Sequence, residues 1–378
     1  MSYQRFGIAA TVSMLLIGVV AGMIPALQGL LLPQLAREGR ISLPQIGQVA
    51  MAEALATLIS ITIANAKLQP HRLRSLACKL AIATALFNLV TPHLSGVEIM
   101  AVRFAHGLCA GILHWMWVGF LTRTANPGRL VAFDVAVQAA TIASLASLFA
   151  ASAIPHHGSV GTFTVIAGIY AALGLLATAI PRDYEPLPGR GPTVLPTLHG
   201  CIGLVAVFAL ISAIVATWVY LKSHGEQIGF DAATTNRAIS TALTCKVIAA
   251  LLMTAIAGRL RPLATLLCVS PASIVTLVVL MRAQSSDMFT MGAAVFAFLW
   301  MFTTPMLMPY LIAVDPSRRS AIHIGTAQLL GAACGPAMAS LAVGLGGTAA
   351  VLVLAASLHG LGILAIVAER LTKLKQGG

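Results

Sequence analysis

PRDYEPLPGRGPTVLP, residues 181–196, is the one long polar, proline-rich stretch in a chain that is otherwise apolar. Cutting the rest at charged, Pro-rich or Gly-rich breaks places candidate spans before it near residues 7–33, 44–66, 75–93, 96–121, 131–154 and 159–180. After it they fall near 198–222, 237–257, 264–282, 288–313, 319–344 and 347–368. Six plus six makes the stretch an interdomain linker, residues 181–197, between two six-helix bundles over 1–180 and 198–378.

The 378 residues are 58% hydrophobic and 9% charged, more apolar surface than one water-facing domain can hide. Lipid is then the solvent. Each crossing needs about 20 mainly apolar residues, and backbone groups in hydrocarbon must pair within the segment, so the runs read as helices. The residue-by-residue alternation of a membrane barrel is absent. The expected fold is all-α, with twelve transmembrane helices and both termini cytoplasmic. MSYQRFGIAATVSMLLIGVVAGM has the charged front and apolar middle of a signal peptide, but the apolar run continues to about Leu32. It is therefore read as an uncleaved first span.

A formal net charge of +12 would suit a nucleic-acid binder, but the basic residues lie in short clusters between apolar runs. Of 23 Lys and Arg, 16 fall on the side of the N-terminus and five, Arg37, Arg40, Lys222, Arg237 and Arg282, on the other; Arg103 and Lys246 lie inside spans. That asymmetry puts both termini inside, in a multi-pass protein expected in the bacterial inner membrane. The six cysteines show no paired spacing and read as soft core fillers rather than disulfides or metal ligands.

The halves resemble each other. Shifting residues 44–65 by 193 lays PQIGQVAMAEALATLISITIAN over RAISTALTCKVIAALLMTAIAG with five identities in 22, and sets Glu53 on Lys246. That register puts one buried charge at the same depth in each half, and duplicated halves around a site are a transporter architecture.

A charge inside a span costs roughly 2.5 to 3.5 kcal/mol or more on insertion scales. In the fourth span Arg103, His106, Ala110, His114 and Trp117 fall within a stripe about 80° wide at about 100° per residue, and such a stripe faces a wet cavity rather than lipid. Glu53, Thr57 and Ser60 share one face of the second span, and Asp134, Gln138 and Thr141 one face of the fifth. The Thr, Ser and Gln residues read equally well as packing polars bonded to neighbouring helices; for Glu53 and Arg103 function is the better reading.

At these residues the chain resembles the major facilitator superfamily over essentially its whole length. RFAHGLCAG, residues 103–111, is similar to the fourth-helix motif of proton-coupled members, an Arg followed three residues later by Gln and then Gly; Arg103 and Gly107 match, and His106 replaces the Gln. The resemblance implies a part for Arg103 in proton coupling or substrate binding, and a monomer. His106 adds an imidazole that titrates near neutral pH. The loop ANAKLQPHRLRS, with Arg72 and Arg74, sits where the family has a Gly-, Asp- and Arg-rich gating turn but lacks the Asp and the first Gly. Its second-half counterpart AGRLRP keeps Gly258, Arg259 and Arg261, also without an acid. The fifth span lacks the Gly-Pro motif of drug/proton antiporters, whereas the eleventh has GAACGP. By the same resemblance the first, fourth, seventh and tenth helices line the cavity. Gln28, Trp117, Trp218, Phe298, Trp300 and Thr304 then become candidate substrate contacts beside Arg103, His114 and Lys246. For Trp218 and Tyr310 the competing reading is an aromatic girdle at the membrane interface.

Together these residues point to secondary active transport by alternating access, with Glu53, Arg103, His106 and Asp134 as proton-coupling candidates. With Glu53 protonated or paired, the remaining cations suit a small organic anion, aromatic in view of the tryptophans. The alternative is proton-driven efflux of amphipathic or cationic compounds, with Glu53 binding cation and proton in turn. No HExxH-like set is present, so an enzyme is not expected; no cofactor or metal is implied. The partners are a small-molecule substrate, protons and the bilayer.

Overall fold

A computed structural model describes residues 6–124, 127–184 and 195–376. Among the described residues every element is helical and none is a strand, as backbone in hydrocarbon requires. In the first half α1 is Ile8–Arg37, α2 Leu43–Lys67, α3 Leu73–Val90, α4 Gly96–Leu121, α5 Pro127–Leu148 and α6 Ile154–Leu176. In the second, α7 is Leu198–Gln227, α8 Ala232–Ile256, α9 Pro262–Met281, α10 Ser286–Val314, α11 Arg319–Ile322 and α12 Ile324–Gln376. Local sequence sets the starts: Ser42 with Gln45 and Ser95 with Glu98 form capping boxes at α2 and α4, satisfying two otherwise orphaned N–H groups each.

Among the described residues ten helical stretches are long and apolar enough to cross a membrane, and the chain is an integral, multi-pass membrane protein. Two of the ten, Phe133–Ala179 and Ile324–Thr372, run 47 and 49 residues. Straight, each would measure about 70 Å, more than twice the hydrocarbon depth of about 30 Å. Neither is straight. The first breaks at Gly158 (φ 59°, ψ −145°) and the second at Gly346 and Gly347, the latter at φ 65°, ψ −161°, backbone that glycine alone adopts without penalty.

The chain clusters into two compact units, Met1–Gln45 with Ala52–Gly189, and Ile46–Met51 with Arg190–Gly378. In the first, α1 packs on α4, α5 and α6, and α3 on α4 and α6. In the second, α7 packs on α12, and α10 on α8 and α9; Leu210, Met253, Leu307, Leu311 and Ile366 are among its core residues. Large apolar side chains such as Leu175, Leu251, Leu341 and Leu345 point outward, which suits lipid and not water. Residues 185–194 of the expected linker lie outside the described residues, as do Arg190 and the side chains of Arg129, Lys373 and Lys375.

The two units repeat one design, at a different offset from that read in the sequence. α2 and α8 are 189 residues apart at both ends, and α1 and α7 are 190 apart at both ends. The glycines at the two breaks, Gly158 and Gly347, repeat at 189 as well. Beside Gly158, Ser159 donates its N–H (2.7 Å) and its hydroxyl to the Glu38 carboxylate; beside Gly347, Thr348 donates its N–H (2.8 Å) and its hydroxyl to the Gln227 carbonyl oxygen. The 193-residue register of Glu53 on Lys246 is therefore one helical turn out: the counterpart of Lys246 is Thr57. Lys222, counted above among the basic residues of the outer side, is a fully buried residue of α7, 3.9 Å from Glu226. Trp218 and Tyr310 are core residues at 1% exposure, not an interfacial girdle.

Candidate functional site

The first unit closes around one buried polar cluster. α2 supplies Glu53 and α4 supplies Arg103 and His106, exposed by 2%, 1% and 0% respectively. The guanidinium meets the carboxylate through both oxygens, Nη2 to Oε1 at 2.5 Å and Nε to Oε2 at 3.3 Å. His106 Nδ1 lies 2.8 Å from the same Oε1 and 3.3 Å from Arg103 Nη2. Gln28 of α1 donates to Oε2 (3.1 Å), and Arg103 Nη1 donates to Asn88 Oδ1 of α3 (3.0 Å). Four helices thus converge on one ion pair, the arrangement a buried charge pair needs to offset its desolvation.

Aromatic faces close the remaining sides. Phe163 lies 5.9 Å beneath the guanidinium, and Tyr170 meets the His106 ring edge-on at 5.6 Å. Glycine brings α2 and α4 close enough for the contact. A Cβ at Gly107 would strike the main-chain carbonyl of Glu53, and one at Gly111 would strike Ser60 Oγ and the Thr57 carbonyl. Thr57 donates to the carbonyls of Glu53 (2.9 Å) and Gly107 (3.2 Å), and Ser60 to that of Thr57 (3.0 Å). These two are packing polars. Gln28, read as a substrate contact, has its amide committed to Glu53.

Asp134 and Trp117 meet elsewhere in the unit, both over Gly18 in α1. Gln138 donates to the Gly18 carbonyl at 3.1 Å, and the His114 and Trp117 rings are 5.1 Å apart. In the second unit Lys246 of α8 places its Nζ 3.4 Å from the centre of the Trp300 ring on α10, a cation–π contact. Trp218 lies 5.8 Å from Trp300, Phe298 stacks on Phe302 at 4.9 Å, and Thr304 donates to the Trp300 carbonyl at 3.1 Å.

The sequence-level candidates therefore separate into the Glu53 cluster, the Asp134 group and the Lys246–Trp300 stack. Asn88 and Tyr170 were missed. Each is a single polar group in an apolar run, and only the lone carboxamide of ALFNLV, residues 85–90, offered a signal.

The acid missing from the basic loop comes from further along the chain. Asp183 accepts the backbone N–H of Arg72 (2.9 Å) and faces His71 Nδ1 (3.3 Å), while Arg72 takes a left-handed conformation with φ 55°. Arg74 donates to the Ile180 carbonyl (2.5 Å). Next to them Tyr184 is buried, its hydroxyl on the Met116 carbonyl (3.0 Å) and its ring 4.9 Å from the Arg123 guanidinium. The first residues of the expected linker are thus docked on the first unit. Gly258, Arg259 and Arg261 are exposed.

The Arg72 N–H, with His71 beside it, holds the Asp183 carboxyl below its ordinary value. A depressed carboxylate stabilises the folded chain fully above its unfolded pKa of about 3.9 and loses that contribution as pH falls. Asp183→Asn is expected to melt earlier than the wild type at about pH 7, by a gap that narrows as pH falls below about 4, as read by thermal unfolding in detergent; a gap that stays unchanged on acidification would contradict this role.

No family model matches the chain, and no curated protein matches it in sequence. Solved structures do. FucP, a major facilitator superfamily transporter in the outward conformation, aligns with a TM-score of 0.64 and 13% identity over 95% of this chain and 98% of its own. A variant of the E. coli fucose:proton symporter FucP gives 0.63 and 12% over 97% and 99%. A variant of the nucleoside transporter NupG gives 0.70 and 11% over 96% and 99%. At such identities the likeness is one of architecture. The chain has the fold of the major facilitator superfamily transporters.

Proposed function

We propose that this secondary transporter couples the movement of a small organic anion to protons by alternating access. The observation that carries the reading is the single Glu53 carboxylate shared by Arg103 and His106. With Arg103 charged and His106 neutral the cluster has no net charge. One added proton, on the imidazole or the carboxylate, gives it a charge of +1 in a buried site, where the change is screened far less than at the surface.

A cluster that becomes positive on binding a proton favours an anionic companion. Lys246 offers a further amine able to carry charge: it rests on Trp300 and makes no ion pair among the described residues. An aromatic carboxylate would match an ammonium beside two indoles. The fold shared with a fucose:proton symporter supports proton coupling in kind. In the same reading the two bent stretches are hairpins of two crossings each, which makes twelve crossings from ten. Both termini then lie on the cytoplasmic side, and residues 181–197 join the six-crossing halves.

Proteoliposomes with an imposed proton gradient test this directly. Uptake of an aromatic carboxylate is expected to follow the gradient and to collapse with an uncoupler. Lys246→Met should lose about 2 kcal/mol of anion binding, raising the half-saturating concentration roughly thirtyfold. Gradient-independent uptake would remove the proton coupling, and a variant indistinguishable from wild type would remove the anion reading.

A further inference from the structure

We propose that Asp134 is a second proton-binding site, separate from the Glu53 cluster and serving the opposite end of the same unit. The side chain is 2% exposed, yet its Oδ1 has no hydrogen-bond partner, and neither has the buried indole Nε1 of Trp117. Both aim at the space over Gly18: a Cβ there would meet Trp117 Nε1 and, at 2.6 Å, Asp134 Oδ2. An acceptor and a donor are thus held near each other without being joined.

Among the described residues, the elements packed around Asp134 offer no partner charge to balance a negative one. α1 carries no ionisable residue between Ile8 and Gln34. From α4 the nearest titratable ring is His114, which packs on Trp117. The π-helical turn Phe149–Ala153 packed against α5 is apolar except for one serine. On α5 itself Gln138 is committed to the Gly18 carbonyl, and the side chain of Arg129 lies outside the described residues. An ionised carboxylate in such a place is costly and a neutral carboxyl much less so, so in this proposal the acid carries its proton. A small movement of α4 that swings the Trp117 N–H onto the carboxyl, or admits water, favours ionisation and lets the proton leave.

Position gives the site its role. On α1 Gln28 marks the level of Glu53 and Gly18 the level of Asp134, ten residues or about 15 Å apart along the axis. Arg103, His106, His114 and Trp117 run along one stripe of α4 over the same interval. The unit therefore has two acids at different depths, one in a closed ion pair and one uncompensated, with an imidazole between.

The inference rests on the carrier reading, but its decisive test needs no transport. Infrared difference spectra of the purified protein near pH 7 are expected to contain the carbonyl stretch of a protonated carboxyl that disappears in Asp134→Asn and persists in Glu53→Gln. Asp134→Glu, should the Asn variant fail to fold, is expected to shift that band instead of removing it. Spectra in which neither substitution alters the protonated-carboxyl region overturn the proposal. In proteoliposomes Asp134→Asn is expected to lose gradient-driven accumulation. If it accumulates solute as the wild type does, the second site is wrong and the carrier stands. If the wild type itself moves no solute, the carrier reading fails and the infrared result alone decides Asp134.

Discussion

Arg103→Ala is expected to destabilise the first unit by about 3–5 kcal/mol and to abolish transport. The loss comes from what remains behind, not from the contact removed. Glu53 would keep Gln28 and His106 but lose the guanidinium that meets both its oxygens, and Asn88 Oδ1 would lose its donor. An unbalanced carboxylate in the interior of a membrane bundle is the worst of these outcomes. Glu53→Gln with Arg103→Gln removes both charges and is expected to recover most of the stability and none of the transport. Thermal unfolding in detergent of the wild type, Glu53→Gln, Arg103→Gln and the double variant measures the coupling; additive single and double losses would mean that the pair is not the unit of stability.

The second large effect is steric. Gly107→Ala places a methyl group against the Glu53 main chain, 3.1 Å from its carbonyl carbon, and 2.9 Å from the Ala56 Cβ. Neither neighbour is a flexible side-chain end. α2 must withdraw from α4, at a cost of roughly 1–3 kcal/mol, and the Glu53–Arg103 contact stretches with it. Gly168 in α6 is the control, since nothing lies within 4 Å of the point a Cβ would occupy there. At that position Ala is expected to stabilise the helix by about 0.8–1 kcal/mol through propensity alone. Opposite signs for one chemical change would tie the effect to helix approach, and equal melting temperatures for both variants would refute it.

The helical membrane character was legible because hydrocarbon leaves a chain so few options. Long apolar runs cannot be hidden, and charges inside them stand out, which is why Glu53, Arg103 and His106 are visible in the sequence alone. What one sequence does not contain is the register between helices. Gln28 looks available to a substrate until α1 sets it against Glu53, and Asn88 carries no mark beyond its polarity. The repeat falls a turn away because identities among Ala- and Leu-rich segments arise easily by chance, whereas the hairpin glycines that set the true offset bind no charge and draw no notice. The acid of the basic loop is not in the loop itself; Asp183 reaches it from more than a hundred residues away.

Glu38 with Ser159 and Gln227 with Thr348 hold their hairpins by the same pair of bonds, at the same spacing, beside the same kind of glycine. Three coincidences at one interval are what duplicated halves would leave behind, and the carboxylate and the carboxamide now in that one place mark where the halves differ. Exchanging the two residues between the hairpins would ask whether their divergence was ever selected.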